Sequence, residues 1–172
     1  MAYHNILSKC DRALMQYIIN NNAGTSADVF PGKRSQDKTL PCTICWSHSC
    51  TTDREIPYSG NYQVEAFVEV RTSGIQEEFD QPNDPANKAI GRIEQTFDLF
   101  FKDDPESGRI VADALTAAAK TSPDPDMQDF HAYDVRAASI TQGFNPRNPK
   151  LAGNAWEDCL HLEIFCCPAN VL

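Results

Sequence analysis

The chain has 172 residues, a formal net charge of −9, and 41% hydrophobic residues. This length predicts one domain, spanning residues 1–172, with a substantial buried core. No segment approaches the ~18 to 20 consecutive apolar residues of a membrane-spanning helix, so no membrane partner is expected. The acidic balance argues against tight, non-specific wrapping of nucleic acid, because such binding needs Lys and Arg on the phosphates.

The N-terminal segment and the cysteines indicate the compartment. The segment MAYHNILSKCDRALMQ has no basic leader followed by an apolar core, so no secretory signal is expected. The seven cysteines are odd in number and lack the regular spacing of a disulfide scaffold. Reduced thiols in a cytosol are therefore the expectation.

The first predicted element is an amphipathic helix over residues 5–20. Its apolar stripe follows helical spacing and consists of Ile6, Leu7, Cys10, Leu14, Tyr17 and Ile18. The run from Asn20 to Gly24 is predicted to end the helix, because Asn and Gly tolerate the left-handed backbone conformation. The polar segment 23–39, with a Pro31-Gly32 turn, is predicted to be a long loop.

The segment LPCTICWSHSC, residues 40–50, has two interpretations. The first is a zinc site built on Cys42, Cys45, His48 and Cys50, because thiolate and imidazole groups are zinc ligands. The second is a β-strand that carries on one face Leu40, Cys42, Ile44 and Trp46, with the thiols packing as small hydrophobic groups. A strand sends Cys42 and Cys45 to opposite faces, so the two interpretations exclude each other.

The segment YQVEAFVEVR, residues 62–71, is the clearest strand in the sequence. Its alternation indicates a half-buried strand with the apolar residues Tyr62, Val64, Ala66, Val68 and Val70 on one face. The opposite face carries Gln63, Glu65, Phe67, Glu69 and Arg71. One face therefore suits a core, whereas the other carries acidic charge and a single aromatic ring.

Two helices are predicted to follow. The first begins with Asp84 as N-cap and Pro85 at the first helical position. Its predicted buried stripe is Ala86, Ile90, Ile93, Phe97, Phe100 and Phe101. The second spans residues 109–120 and is predicted to bury Ile110, Val111, Ala114, Leu115 and Ala118.

The C-terminal third predicts two more strands. Residues 131–141 alternate imperfectly, with Tyr133, Val135 and Ala137 on one side. Residues 156–166 alternate better, and one side is formed by Trp156, Leu160, Leu162, Ile164 and Cys166. The connecting segment 142–155 is too long for a tight hairpin turn, and it is either a contact arm or a tolerated insertion.

This order of elements predicts an α+β fold of two layers. Adjacent strands joined by short connections imply an antiparallel sheet of about four strands, packed on two or three helices. The second face of the sheet would carry Glu65, Phe67, Glu69, His161, Glu163 and Phe165. Such a face meets either solvent or another subunit, and its aromatic residues favour the second because aromatic residues are enriched at interface cores.

No motif in the sequence indicates catalysis. The patterns G-x-S-x-G, G-x-x-x-x-G-K-[ST] and H-E-x-x-H do not occur. The acidic pairs Asp103-Asp104 and Glu77-Glu78 are adjacent, so their side chains do not face one another on a helix. We therefore expect neither enzymatic activity nor a cofactor.

The chain resembles the tail terminators and related head–tail joining proteins of long-tailed bacteriophages. After the N-terminal helix, the resemblance is carried by L-P-C-x-I-C at residues 40–45 and by V-E-x-x-V-E-V-R at residues 64–71. The last strand has the form W-x-D-x-L-x-L-x-I-x-C-x-P at residues 156–168. The resemblance covers most of the chain between Asn5 and Pro168.

The resemblance implies a structural virion protein, assembled in the host cytoplasm. Such proteins form a homohexameric ring that caps the head-proximal end of the tail tube and joins it to the head connector, while DNA passes through the ring. The acidic residues expected near the lumen are Glu65, Glu69, Glu77, Glu78 and Asp80. Contacts to subunits or partners are expected at Phe67, Phe144, Arg147 and Phe165. The alternatives are another connector, such as a neck or head-closure protein, and a small zinc-binding module.

Overall fold

The computed structural model describes residues 3–32, 41–52, 61–72, 85–144 and 156–167. The helices in these ranges are α1 (Tyr3–Asn20), α2 (Pro85–Asp98) and α3 (Ser107–Lys120). The strands are β1 (Val29–Pro31), β2 (Cys42–Thr52), β3 (Tyr62–Thr72), β4 (His131–Phe144) and β5 (Trp156–Cys167). A 3-10 turn, Pro125–Met127, leads into β4. No helix in the described ranges is long and apolar enough to cross a membrane.

The five strands form one sheet in the order β1-β2-β3-β5-β4. All neighbouring strands pair antiparallel except β1, which runs parallel to β2. The predicted α+β fold is therefore confirmed, but the sheet is mixed and has five strands rather than about four. The additional strand β1 lies inside the segment 23–39, which the sequence predicted to be a loop. Three residues are too few to give a periodic signal.

The core lies between the helices and one face of the sheet. The predicted alternation of β3 is confirmed, because Val64, Ala66, Val68 and Val70 are fully buried. Val64, Ala66 and Val68 lie opposite Ile164, Leu162 and Leu160 of β5, so that two central strands supply the sheet side of the core. The predicted stripe of α1 packs into the same cluster, with Leu7 only partly buried. Full burial of such side chains contributes roughly 1.5 to 3 kcal/mol each.

The predicted end of α1 is also confirmed. Asn22 adopts a left-handed conformation with φ 58, and the Ala23 amide donates to the Ile18 carbonyl at 3.1 Å. Gly24 then allows a close approach, because a Cβ at this position would lie 2.3 Å from Cγ2 of Val29. This turn brings the chain back beside β2 as β1.

An ion pair connects α2 to the β1 edge of the sheet. Arg92 of α2 donates to both carboxylate oxygens of Asp28, at 2.9 and 3.0 Å, and to the Thr43 hydroxyl at 3.1 Å. The bidentate geometry makes this a strong contact, and it holds the Asp28 pKa below its usual range although partial burial opposes the shift. Helix α2 is therefore held on the sheet both by the ion pair of Arg92 and by the buried ring of Phe97.

Some helical residues predicted to be buried are exposed. Helix α2 ends at Asp98, and the following turn directs Phe100 into the core while Phe101 is 45% exposed. On α3, Ile110 is 40% exposed because the buried side of that helix is turned toward Ala112, Thr116 and Ala119. The side chains of residues 85–91 lie outside the described part.

Bulges in β4 break its predicted alternation. The pairing with β5 shifts register between Ala132 and Asp134 and again between Ala137 and Ser139. As a result Tyr133 is exposed, whereas Ala132 and Val135 are buried. Ala137 shares the side of Val135, as predicted, but is exposed. Thr116 of α3 bonds to the first bulge: its hydroxyl donates to the Ala132 carbonyl at 3.2 Å and accepts from the Ala132 amide at 2.9 Å.

We expect Thr116→Val to lower the free energy of unfolding by about 1 to 3 kcal/mol, because both buried Ala132 groups lose a partner. The matched control is Thr96→Val. The Thr96 hydroxyl is buried without a hydrogen-bond partner in the described part of the chain. Its replacement should change stability by less than about 0.5 kcal/mol or increase it. Urea unfolding of both variants measures the difference, and equal losses would contradict the role given to Thr116.

A carboxylate is half-buried where α1 packs on β2. Asp11 accepts a hydrogen bond from the Ser47 hydroxyl at 2.6 Å. Burial raises the pKa of Asp11 to about 6, although the hydrogen bonds from Ser47 oppose this shift. The folded state therefore holds a proton that the unfolded state loses at lower pH. Stability from this group is present below the unfolded pKa and is lost as the pH rises toward 6.

We expect Asp11→Asn to be more stable than the wild type at pH 7 by about 1 to 2 kcal/mol, because the amide keeps an acceptor for Ser47 without the buried charge. The two proteins should converge near pH 4. Asp113→Asn, at an exposed position on α3, serves as the control. Unfolding curves between pH 4 and 7 test this, and parallel curves for wild type and Asp11→Asn would contradict it.

Candidate interaction surface

The sheet face opposite the helices is called the outer face, and it consists of the odd-numbered residues of β3 and β5 with their partners on β2 and β4. The register places Glu65, Phe67, Glu69, His161, Glu163 and Phe165 on this face together, as the alternation predicted. On β2 the outer face carries Cys42, Ile44 and Trp46, whereas Thr43, Cys45 and Ser47 point toward the helices. The sequence alone did not indicate that the more apolar side of β2 faces away from the core.

Three stacked rings cross the middle of the outer face. Trp46 of β2 stacks on Phe67 of β3 at 4.4 Å between centroids and 17° between planes. Phe67 stacks in turn on His161 of β5 at 4.7 Å and 9°. The three side chains are half-buried, and the Nε2 atom of His161 is buried without a hydrogen-bond partner among the described residues. Such a rigid aromatic row has the character of a protein contact surface.

A charge network borders one side of this row. Glu69 is only 6% exposed, and it accepts from the Trp46 indole at 2.7 Å and from Arg71 at 2.9 Å. Arg71 also donates to Glu157 at 2.9 Å. Burial raises the Glu69 pKa, and the nearby Glu157 charge adds to the shift, while Arg71 opposes it. Glu69 was expected to present open charge near a lumen, but it is buried within the chain and compensated.

Carboxylates and an arginine border the other side of the row. Glu65 lies directly opposite Glu163 on the neighbouring strand, and it accepts from the Ser49 hydroxyl at 2.9 Å. Arg136 of β4 lies opposite Glu163, with its guanidinium 4.7 Å from the centroid of Phe165. Phe165 is thus packed under a cation, which suits an aromatic residue at the rim of a contact surface.

A shallow cleft of about 400 Å³ opens at the end of the outer face. Its walls combine three aromatic rings with hydroxyl and amide groups, and they are formed by Thr51, Thr52, Asn61, Tyr62, Gln63, Tyr133 and Phe165. Tyr133 contributes because the first bulge of β4 turns its ring outward to within 6.2 Å of Phe165. Sequence analysis did not identify this cleft, since a bulge leaves no periodic signal.

The zinc hypothesis required Cys42, Cys45, His48 and Cys50 to converge. The strand distributes them instead: Cys42 lies opposite Arg71 on the outer face, and Cys45 lies opposite Val68 in the core. Burial raises the pKa of Cys45 well above its usual value and that of Cys50 to about 11, which disfavours the thiolate that zinc requires. Within the described ranges, no three side chains of suitable type come together as metal ligands.

Four of the cysteines, Cys10, Cys42, Cys45 and Cys166, are buried free thiols. The sulfur atoms of Cys10 on α1 and Cys166 on β5 lie 3.8 Å apart in the core. Hydrogen bonding to Cys166 together with burial raises the Cys10 pKa, and burial raises that of Cys159 to about 12. The raised pKa values of Cys10, Cys45, Cys50 and Cys159 disfavour the thiolate form that a reactive cysteine needs.

Several predicted site residues lie outside the described part of the chain: Glu77, Glu78, Asp80 and Arg147. Phe144 is the last residue of β4, and its side chain is not described. Trp46, Arg71 and Arg136 complete the outer face, but they were not among the predicted site residues. The sequence matches no protein-family model, and a search of curated proteins finds no significant match.

We expect Arg71→Gln to lower the free energy of unfolding by roughly 2 to 4 kcal/mol at pH 7, because the buried Glu69 loses its cationic partner. The loss should be smaller at acidic pH, because burial raises the Glu69 pKa and so favours its neutral form. The double variant Arg71→Gln with Glu69→Gln should recover part of the loss. The control is Arg109→Gln, whose exposed pair with Glu106 spans 3.6 Å and should contribute less than about 0.5 kcal/mol. Equal effects of the two single variants at pH 7 would contradict the assignment.

Proposed function

We propose that this chain is a structural virion protein that forms a ring and terminates the tail tube of a long-tailed bacteriophage at its head-proximal end. The proposal rests first on the resemblance of its strands and their order to tail terminators. The observation that carries it structurally is the outer face, where stacked aromatic rings are bordered by compensated charges. This composition, apolar in the middle and polar at the rim, is that of a surface made for another protein.

The hydrogen bonds of the outer face support a structural role. A partly buried network ties Trp46 to Glu69, and Arg71 to Glu69 and Glu157, so the outer face is held rigid before any partner binds. A preorganised surface loses little conformational entropy on binding, which favours a stable assembly. We therefore propose that the outer face contacts a neighbouring virion protein, either the tail tube protein or the head connector.

The charge balance supports passage of DNA without binding. The chain carries 24 acidic residues against 15 Lys and Arg residues. An acidic ring lets a DNA molecule slide, because no cationic surface holds the backbone.

The function is tested by adding the purified chain to growing tubes of the cognate tail tube protein. We expect rings at one end of the tubes in electron micrographs and no further elongation from that end. Binding to the head connector without arrest of tube growth would favour the neck or head-closure alternative. A chain that associates with neither protein would contradict the proposed function.

We expect Phe67→Asp to reduce the capping of tubes by at least about tenfold, because it removes the central ring of the contact surface. Phe101→Asp is the matched control, since Phe101 is exposed and lies on the helical side of the domain. Thermal unfolding of both variants checks that each is folded under assay conditions. If folded Phe67→Asp capped tubes as well as Phe101→Asp does, the outer face would not be the contact surface.

A further inference from the structure

Two carboxylates face each other on the outer face without a cation between them. Glu65 of β3 lies directly opposite Glu163 of β5, and both side chains are partly exposed. The Ser49 hydroxyl donates to Glu65 at 2.9 Å. Among the residues that the structure describes, neither glutamate has an ion-pair partner. Like charges directly opposite each other on neighbouring strands destabilise a sheet, so this pair is a cost to the folded chain.

Two arginines of the outer face are bound elsewhere. Arg136 of β4 lies opposite Glu163. Its guanidinium, however, lies 4.7 Å from the centroid of the Phe165 ring, and it donates to the Asp134 carboxylate at 2.7 Å. Arg71 belongs to the charge network on the other side of the aromatic row. The repulsion between the two glutamates is therefore not relieved by an ion pair within the described ranges.

Other carboxylates of this domain show how the chain compensates partial burial. Arg92 binds Asp28 at 2.9 Å, and Arg71 binds Glu69 at 2.9 Å. Compared with these ion pairs, the two glutamates on the outer face break a local rule of folding without a compensating contact. Such exceptions are typical of functional sites. A cation supplied from outside the chain is the group that compensates this pair.

Aromatic rings flank the glutamate pair along the strands. Two residues away on one side lie Phe67 and His161, and two residues away on the other side lies Phe165. Each of these steps is about 7 Å, because a strand rises about 3.3 to 3.4 Å per residue. Trp46 and His161 cover the two faces of the Phe67 ring, so its edge points away from the sheet. A ring edge is electropositive and packs against the face of another aromatic ring.

This arrangement defines the chemistry of a partner. An arginine side chain fits between the two glutamates, because opposite residues have Cβ atoms about 4.5 to 5.5 Å apart and a guanidinium presents its N–H donors in a planar fork. An aromatic residue two positions away in an extended segment lies about 7 Å from that arginine, level with the Phe67 edge. The phosphate groups of a nucleic acid would instead add a third like charge. The partner is therefore a protein.

We propose that Glu65 and Glu163 together bind an arginine of a neighbouring virion protein, while an aromatic side chain of the same segment packs against Phe67. The inference rests on the proposed function, because it names the chemistry of the partner that meets the outer face. The glutamates then determine specificity as well as affinity, since an acidic or uncharged side chain at this position leaves their repulsion unrelieved. The contact surface of the partner is accordingly basic and aromatic.

The site is tested first with short peptides that have blocked, uncharged ends. Acetyl-Arg-Gly-Phe-amide carries the arginine and the aromatic residue at the required spacing, and acetyl-citrulline-Gly-Phe-amide replaces the guanidinium by an uncharged urea group of nearly the same shape. We expect the arginine peptide to bind at least about threefold more tightly in nuclear magnetic resonance titrations. The amide signals that shift should belong to residues 63–67 and 161–165.

The matched variants remove equal charge from the two sides of the domain. Glu65→Gln with Glu163→Gln should abolish the preference for the arginine peptide, because the carboxylates are gone. Glu94→Gln with Asp113→Asn, at exposed positions of α2 and α3, should keep it. Both variants should stay folded. In the first, glutamine keeps an acceptor for Ser49 and the like-charge repulsion is lost, so thermal unfolding should not shift to lower temperature.

Two peptide results would overturn the inference. One is equal binding of the two peptides to the wild type, and the other is a preference that persists without Glu65 and Glu163. Tube capping separates these results from the proposed function. If the wild type caps tubes, we expect Glu65→Gln with Glu163→Gln to cap at least about fivefold less well, and equal capping would overturn the inference alone. If the wild type caps no tubes but prefers the arginine peptide at the outer face, the proposed function fails and the glutamate site remains.

Discussion

The pairing of β3 with a strand on each side is the constraint on which the rest of the structure depends. Its residues alternate between two environments, so one strand builds both the core and the outer face. Val64, Ala66, Val68 and Val70 are buried against α1, while Phe67 is stacked between Trp46 and His161. A register shift of one residue would exchange these sets, placing the partly exposed Glu65 in the core. The cost of burying its charge helps to fix the register.

Polar contacts then attach the helices in fixed positions. Asp11 joins α1 to Ser47, and Thr116 joins α3 to Ala132, while Tyr17 donates to the Leu99 carbonyl at 2.8 Å. Each of these contacts uses a side chain to satisfy a buried group, which restricts how a helix lies on the sheet. These contacts fix the positions of the helices on the inner face of the sheet.

Sequence patterns predicted the elements with strong periodicity. The stripe of α1 and the alternation of β3 and β5 each bury a continuous apolar set, so tertiary packing and local pattern agree. From these the two-layer fold and the shared face of Glu65, Phe67, His161, Glu163 and Phe165 followed directly.

The features that were missed depend on pairing between distant residues. β1 gains its strand conformation from β2, and the exposure of Tyr133 comes from a bulge that only the register with β5 defines. In β2 the apolar alternation of Cys42, Ile44 and Trp46 suggested a core face, but Thr43 and Cys45 face the helices. Residues 42–45 are buried on both faces of the strand. A prediction from alternation needs one buried and one exposed face, and that difference is absent here.

A ring built from identical domains, as the proposed function requires, needs two different, complementary surfaces on each copy. In the proposed function, the outer face contacts the tail tube or the connector. Electron cryo-microscopy of the purified chain at high concentration tests this account most directly. The proposed function predicts closed rings of about six copies with a central channel. Open filaments, or rings in which the outer face is covered by a second copy of the chain, would contradict it.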